Sequence, residues 1–266
     1  MKPARLRALV GKELKDLMRN RAALWPVAIS TVVFLALPFV IAIIVPATSG
    51  RPLGDDRDLV RVSAVVGAHP ELTTTGRVQL FMFQQFLMVF LLMPITGAMA
   101  LAAHAVVGEK LARTLEPLLA TPVTTAELLV AKVVGSLIPT LAITLGALVA
   151  YLILIAATAE PGVIQGMLSA RTLVLTVLVS PVAALLSLQA AIVVSSRVND
   201  ARTAQQFGVL IILPLGGILV AQFTGSLWLS ATVLAFIALG LFGIWMLLTL
   251  FSIAMFERES ILTKWK

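Results

Sequence analysis

The residues of this chain that could carry chemistry are few and widely spaced. The two histidines, His69 and His104, fall in different segments, and the sequence contains no cysteine. Thiol catalysis and thiolate metal sites are therefore excluded. No histidine cluster or nucleophile–base pair is present that could hold a metal ion or begin a hydrolysis. The sequence predicts neither a catalytic residue nor a metal site.

A phosphate loop for nucleotide binding is also missing. The pattern G-x-x-x-x-G-K-[ST] places backbone N–H groups and a lysine around the phosphates. The pair Gly11-Lys12 lacks the upstream glycine and is followed by Glu13 instead of serine or threonine. We therefore expect that this chain binds no ATP and no other cofactor by itself.

The composition is that of a membrane protein. The chain has 266 residues, of which 59% are hydrophobic and 12% charged, and its mean hydropathy is +1.03. A soluble domain has about a quarter of its residues charged. The net charge of +7 would suggest a nucleic-acid partner in a soluble protein, but here it bears on orientation in the bilayer, and we expect no nucleic-acid partner.

The apolar runs predict an all-α membrane protein with six transmembrane helices in a single transmembrane domain, residues 1–266. All charged residues fall in the predicted loops and tails. The stretch from Thr203 to Phe256 contains no charge, and as one helix it would be about 81 Å long, far beyond a hydrocarbon core of about 30 Å. It must therefore turn back, and Gln222–Ser226 is the best turn. The predicted spans are residues 24–45, 78–103, 133–157, 172–195, 207–221 and 227–253.

Residues 1–21 predict an amphipathic helix that lies in the membrane interface. Its lysines and arginines would meet anionic headgroups on one side. Glu13 falls close to the apolar face, so it either pairs with a cation on a neighbouring helix or extends its carboxylate to the interface. The apolar face comprises Leu6, Leu9, Val10, Leu14, Leu17 and Met18.

Charge counting predicts the orientation. With the amino terminus inside, 15 Lys and Arg residues lie on the cytosolic side and five lie outside. The positive-inside rule then places both termini in the cytosol. We expect a multi-pass protein of the cytoplasmic (inner) membrane.

A charged, helical segment, residues 108–125, separates the second and third predicted spans. Its leucines recur at the spacing of one helix face. Thr121-Pro122 ends that helix, because the residue before a proline avoids the α region. Thr124 and Glu127 form a capping box that begins the next helix. The chain thus leaves the membrane, forms a short surface helix and re-enters.

Two stretches resemble the exporter-type ABC permeases, which are ABC-2-like transmembrane subunits related to sodium and drug exporter permeases. The family pattern E-x-E-x-G-T-L-E-x-L-L-x-T-P reads here EKLARTLEPLLATP, from Glu109 to Pro122. This sequence departs from the pattern at Leu111 and Arg113. A glycine that the family has further along is replaced here by Ala131. The loop SSRVNDARTAQQ, residues 195–206, resembles the run that precedes the fifth span in that family, with Leu213-Pro214-Leu215 inside the span.

The resemblance implies a partner and a set of contacts. Such permeases work as two copies or two related chains, each resting on a separate ATP-binding subunit that holds ATP and Mg²⁺. The segment between spans two and three would be the coupling helix in a groove of that subunit. The implied coupling residues are Glu109, Arg113, Thr114, Leu115, Glu116, Leu118, Leu119, Thr121 and Pro122. Further cytosolic contacts would involve Glu13, Arg197, Asp200 and Arg202.

The resemblance also implies a substrate path. In similar permeases spans two and five face each other, so Gln84, Gln85, Phe86 and Pro214 could line an exit route. The alternative is that the aromatic side chains pack and the glutamines make interhelical hydrogen bonds.

Two other functions stay open: an ion-coupled secondary transporter, which the lack of charge in the spans disfavours, and a non-transporting membrane scaffold.

Overall fold

A computed structural model describes residues 3–67, 69–111, 125–197 and 209–255. Within these ranges, the backbone alone is described at residues 3, 22–23, 103–111, 125–126, 129, 196–197, 209–215 and 253–255. Every regular element in the described part is helical, which confirms the all-α prediction there. The helices are α1 (Pro3–Arg19), α2 (Arg21–Phe39), α3 (Val45–Ser49), α4 (Arg57–Ser63), α5 (Thr74–Val89), α6 (Leu92–Leu111), α7 (Thr125–Thr158), α8 (Val163–Met167), α9 (Ala170–Leu173), α10 (Ser180–Arg197), α11 (Val209–Phe223) and α12 (Ala231–Met255).

Five helical stretches in the described ranges are long and apolar enough to cross a membrane. They are Leu24–Ser49, Thr74–Ala102, Val130–Thr158, Ala170–Ser195 and Ala231–Ser252. The helix α11 occupies the place of the predicted fifth span, but its described part has 15 residues, fewer than the roughly 17 to 25 that a span uses. The count of six therefore stays a prediction. The predicted turn at Gln222–Ser226 is present, since α11 ends at Phe223 and the Gly225 N–H donates to the Gln222 carbonyl at 3.0 Å.

Prolines interrupt three of the spans. The second span is two helices, because Pro94 has no N–H to donate to the carbonyl of Phe90, four residues earlier. The chain passes from α5 to α6 by a tight turn, in which the Leu91 N–H donates to the Met88 carbonyl at 3.1 Å. In the fourth span, π-helical turns at Val174–Val179 precede Pro181.

In the first span the sequence predicts a kink at Pro38. The structure instead widens into a π-helix, Val40–Ile44, that joins α2 to α3 and lies between Pro38 and Pro46. A π-helical turn can accommodate the backbone group that a proline leaves without a helical partner. The span also extends to Ser49, beyond the predicted end at residue 45.

The second span forms the centre of the bundle. In its most apolar window 89% of the residues are buried, against 17% in the first span and 11% in the sixth predicted span. Tyr151 of α7 is fully buried, and its hydroxyl donates to the Phe83 carbonyl of α5 at 2.9 Å. Packed helices around one buried helix form a rigid core, because interiors pack as densely as organic crystals.

The prediction that every charged residue lies in a loop or tail is wrong at three positions. Arg77, Lys132 and Arg171 each lie in the first turn of a candidate span. The helices that contain Arg77 and Arg171 extend beyond the apolar runs because side-chain caps begin them earlier. Thr73 accepts a hydrogen bond from the Gly76 N–H at 2.9 Å, and Ser169 accepts one from the Thr172 N–H at 3.3 Å.

The segments predicted to lie outside pack against one another. Glu160, between the third and fourth spans, accepts a hydrogen bond from the Thr73 hydroxyl. Its backbone N–H donates to Gln79 Oε1 at 2.9 Å. The predicted polar loop over residues 46–77 is partly helical, since it holds α3, α4 and the start of α5. These contacts agree with the prediction that both loops lie on the same side.

Candidate functional site

At the predicted cytosolic end, a buried ion pair joins α1 to α7. Glu13 Oε1 lies 3.1 Å from Lys132 Nζ, and the two residues are 6% and 4% exposed. The alternative in which Glu13 pairs with a cation on a neighbouring helix is confirmed. Because the carboxylate is enclosed within the chain, we assign it to the packing of α1 on α7. Direct contact of Glu13 with another subunit stays a prediction.

A glycine allows the two helices to approach at this point. A Cβ atom built on Gly135 would lie 2.6 Å from the Cβ of Glu13, a distance that real Cβ atoms do not adopt. Leu17, one turn further along α1, is 4% exposed, whereas Met18 is 67% exposed and lies outside the face that packs within the chain. The helix α1 thus rests on α7 through Glu13, and Leu17 packs in an apolar cluster with Val27 of α2 and with Ala100 and Leu101 of α6.

The helices α6 and α7 flank the predicted coupling segment. The backbone of Glu109 lies in the last turn of α6, and α7 begins at Thr125, directly after the predicted capping residue. The side chain of Glu109 and all of residues 112–124 lie outside the described residues. The coupling residues placed there are Arg113, Thr114, Leu115, Glu116, Leu118, Leu119, Thr121 and Pro122, and their roles stay predictions.

The second predicted cytosolic contact is only partly described. Arg197 ends α10, and its side chain lies outside the described part of the chain, as do Asp200 and Arg202 altogether. The backbone of Pro214 lies in α11, but the placement of its ring is not described. The structure therefore does not test Pro214 as part of a substrate path.

The predicted path residues of span two are buried inside the chain. Gln84 Nε2 donates to the Gly166 carbonyl at 3.2 Å, and Gln85 Nε2 donates to the Gln222 carbonyl at 3.2 Å. The ring of Phe86 packs edge-on against Phe223 with centroids 5.3 Å apart. The glutamines thus make hydrogen bonds between elements, as the alternative interpretation expects. Whether they also border a path between subunits stays a prediction.

A buried arginine lies at the centre of this polar cluster. Arg171 is 8% exposed; its Nε donates to the Leu229 carbonyl at 3.0 Å and its Nη2 to Gln222 Oε1 at 3.0 Å. Its Nη1 donates to the carbonyl and to Oε1 of Gln84, both at 3.3 Å. The guanidinium carbon lies 4.2 Å from the centre of the Trp228 ring. This side chain of the predicted loop between spans three and four thus joins span two, the predicted turn after span five and the start of span six.

Sequence reasoning missed Arg171, Gln222 and Trp228 as a group. Arg171 reads as a loop residue, and Gln222 reads as part of a turn. Their partners lie far along the chain, as with Arg171 and Gln84, which are 87 residues apart. One available signal was the position of Arg171 directly before an apolar run, because an arginine there must find partners or reach water.

At the predicted outer side, Glu71 is influenced by its immediate neighbours. A hydrogen bond from its own backbone, and then one from the His69 ring at 3.0 Å, lower the pKa of the exposed Glu71 carboxyl. The described residues contain no group of three or more His, Asp or Glu side chains that could hold a metal ion. The described part is therefore a packed helical bundle that contains the buried Glu13–Lys132 ion pair and the buried cluster around Arg171.

Comparison with known proteins identifies the family. A comparison with curated sequences gives no match. The sequence model of the ABC-2 family transporter proteins, however, matches residues 7–261. That range includes all but the first six residues of the predicted interfacial helix, the segment at 108–125 and the loop at 195–206. Because the match covers nearly the whole chain, this protein belongs to the ABC-2 transporter family and is an ABC-2 type permease.

Proposed function

We propose that this chain is the membrane-spanning subunit of an ATP-driven exporter in the cytoplasmic membrane. Two permease chains would pair, and each would rest on a separate ATP-binding subunit that holds ATP and Mg²⁺. The family match carries the proposal, because it extends over residues 7–261 and so includes both predicted cytosolic contact segments. Members of this family are transport components that commonly work with an ATP-binding subunit.

The lengths of the helices support transmission of movement from the coupling segment. The helix α7 has 34 residues, which at 1.5 Å per residue is about 51 Å, well beyond a hydrocarbon core of about 30 Å. It therefore extends out of the membrane toward the segment at 112–124, and α6 reaches the same segment from the second span. A push on that segment would act on the central span and on α7 together.

The charge distribution supports an external source of energy. Among the described residues the buried acidic side chains are Glu13 and Glu127, and both lie at the predicted cytosolic end. An ion-coupled transporter commonly places ionisable groups near the middle of the membrane. We therefore favour ATP coupling over a secondary transporter and over a scaffold without transport activity.

The test uses two charge reversals in the coupling segment. The double variant Arg113→Glu with Glu116→Arg should reduce co-purification of the ATP-binding subunit and reduce ATP-dependent export. Its matched control is Arg57→Glu with Asp58→Lys, which reverses two exposed charges in α4 at the predicted outer side. The control should leave both measurements unchanged. Equal behaviour of the two double variants would contradict the coupling assignment.

The two alternative functions, a secondary transporter and a scaffold without transport activity, are tested separately. The purified chain in liposomes, without nucleotide or a second polypeptide, should move no substrate against its gradient when an ion gradient is imposed. Uphill movement under those conditions would establish a secondary transporter. Full export by the complex would in turn exclude a scaffold without transport activity.

The exit route through Gln84, Gln85, Phe86 and Pro214 belongs to the same proposal. Because the first three are buried within one chain, the route would open only when spans two and five move apart. Replacing Gln84 and Gln85 by alanine should lower substrate-stimulated ATP hydrolysis in a complex that still assembles. Unchanged stimulation would remove both residues from the route.

A further inference from the structure

A cavity of about 280 Å³ lies between the central span and the helices α10, α11 and α12. One of its lining residues, Met88, is the middle residue of the candidate span Thr74–Ala102. Two others, Val179 and Ser187, lie on either side of the middle of the candidate span Ala170–Ser195. The cavity therefore lies near the middle of the membrane, at a depth where the surroundings of the protein are hydrocarbon.

Two interruptions of the helices border this cavity. Met88 and Leu91 line it at the break between α5 and α6, and Val179 lines it at the end of the π-helical turns of the fourth span. The regular packing of side-chain ridges into the grooves of a neighbouring helix is interrupted where the backbone departs from a straight helix. The cavity is thus a consequence of the backbone and is not the trace of one missing side chain.

The described walls of the cavity are apolar. None of the described lining residues is charged, and the hydroxyl of Ser187 already donates to the Ala183 carbonyl at 2.7 Å. A buried water needs two to four polar partners, and an engineered apolar cavity of about 150 Å³ stays dry and binds benzene or xenon. The larger cavity of this protein therefore suits a neutral hydrocarbon group.

The helices α11 and α12 form the wall between the cavity and the bilayer. The lining residues of spans two and four are buried, whereas Ile218 of α11 and Ile237 and Leu241 of α12 are half-buried. Nearby on the same helices, Val220 and Leu239 are 66% and 64% exposed. The helix α11 packs against α5 and α12 packs against α10, but the described residues of α11 and α12 make at most marginal contact with each other. The gap between α11 and α12 therefore leads from the bilayer to the cavity.

We propose that this cavity binds an acyl chain of a bilayer lipid. The acyl chain enters between α11 and α12, and its end packs against the buried walls formed by spans two and four, while the headgroup stays at the membrane surface. Acyl chains are the hydrocarbon that surrounds the protein at this depth, and one of them restores the dispersion contacts that an empty cavity forfeits. This inference concerns lipid binding by the protein itself and does not depend on ATP-driven export.

Photolabelling identifies the residues that an acyl chain touches. The full-length protein is reconstituted without nucleotide in phosphatidylcholine nanodiscs, in which part of the lipid carries a diazirine near the end of one acyl chain. Light converts the diazirine into a carbene that inserts into neighbouring bonds, and mass spectrometry of peptides locates the adducts. Met88 and Ala183 report on the cavity walls, and Leu247, which is 68% exposed on α12, reports ordinary contact with lipid. Tyr151, which is fully buried and does not line the cavity, reports the background.

We expect adducts on Met88 and Ala183 as well as on Leu247, and none on Tyr151. Ala183→Leu, which narrows the cavity, should lower the ratio of Met88 adducts to Leu247 adducts about tenfold, because overpacking of a buried site disfavours the occupant. Ala156→Leu, the same change at an exposed position of α7, should leave that ratio unchanged. An unchanged ratio in Ala183→Leu would contradict the proposal.

A small free photoprobe distinguishes an acyl chain from other apolar occupants. Adamantane diazirine, dissolved in the same nanodiscs without the labelled lipid, is apolar but is not part of a lipid. The proposal is overturned if this probe labels Met88 while the lipid probe does not, since the cavity would then hold free apolar solutes. It is also overturned if the lipid probe labels Leu247 but neither Met88 nor Ala183, as expected if a second copy of the protein covers the gap between α11 and α12. Both results are read in the parent protein, so they decide the matter even if Ala183→Leu does not fold.

Discussion

Glu13 Oε1 and Lys132 Nζ lie 3.1 Å apart in a buried contact between the amino-terminal helix and the long helix α7. The pair is 119 residues apart in sequence. It fixes α1 to the first turns of α7, which begins directly after the predicted coupling segment. Movement of the coupling segment would therefore carry α1 with it.

Glu13→Gln should destabilise the protein. Removing one partner of a buried ion pair costs about 3 to 5 kcal/mol, because it leaves a charge buried without its counter-ion. We expect a clear fall in the thermal unfolding midpoint of the purified protein in detergent. Combining Glu13→Gln with Lys132→Met should recover part of the loss, since neither position of the pair then carries a charge.

The matched control is Asp16→Asn on the same helix. Asp16 pairs with Lys12 at 3.8 Å, and its side chain is 62% exposed. Exposed pairs contribute about 1 kcal/mol or less, so the midpoint should hardly change. Equal losses in Glu13→Gln and Asp16→Asn would show that burial of the Glu13 pair does not matter.

Gly135→Ala should separate α1 from α7. The new Cβ would lie 2.6 Å from the Cβ of Glu13, which is not the flexible end of a side chain, so a helix must shift. Overpacking of this kind costs about 1 to 3 kcal/mol. The measurement is the unfolding midpoint, together with protease sensitivity of the amino-terminal helix.

Gly146→Ala in the same helix is the control for the glycine itself. A Cβ at that position meets no heavy atom within 4 Å, and alanine favours a helix over glycine by about 1 kcal/mol. We expect the midpoint to rise slightly or stay unchanged. A loss in Gly146→Ala as large as that in Gly135→Ala would show that the contact with Glu13 is not responsible.

Gln84→Ala should weaken the arginine cluster. The change removes one acceptor of Arg171, at 3.3 Å, and the donor to the Gly166 carbonyl. A buried group left without its partner costs about 1 to 3 kcal/mol, and the unfolding midpoint should fall accordingly. Gln165→Ala, at an exposed position of α8, should have no effect. A midpoint unchanged by Gln84→Ala would mean that the cluster is not tightly packed.

Local sequence patterns predicted the helices better than they predicted the polar cluster around Arg171. Apolar runs located all five of the observed candidate spans, since a membrane helix must be apolar over its whole length. The pairing of Glu13 was foreseen as one of two possibilities, because a carboxylate near an apolar face needs a partner. Arg171 was missed, because its burial depends on carbonyl and amide oxygens of Gln84, Gln222 and Leu229, which only the tertiary fold brings together.

The limits of the helices were also harder to predict than their existence. The sequence places Pro94 inside one continuous span, but the structure breaks that span between Val89 and Leu92. The effect of a proline depends on what replaces the lost hydrogen bond, and here a tight turn does so. Similarly, caps at Thr73 and Ser169 begin their helices before the apolar runs, so Arg77 and Arg171 become helical.

The absence of cysteine from the sequence permits a direct test of the topology. Single cysteines replace exposed residues, and intact cells are treated with a maleimide that cannot cross the membrane. Arg51→Cys, Leu168→Cys and Ser226→Cys should react in intact cells, because their segments are predicted to lie outside. Lys15→Cys, on the exposed face of α1, should react only after the membrane is permeabilised. Ser226 decides the count of spans: a cysteine there that is protected in intact cells and labelled after permeabilisation would mean that α11 does not cross the membrane, and the six-span prediction would be wrong.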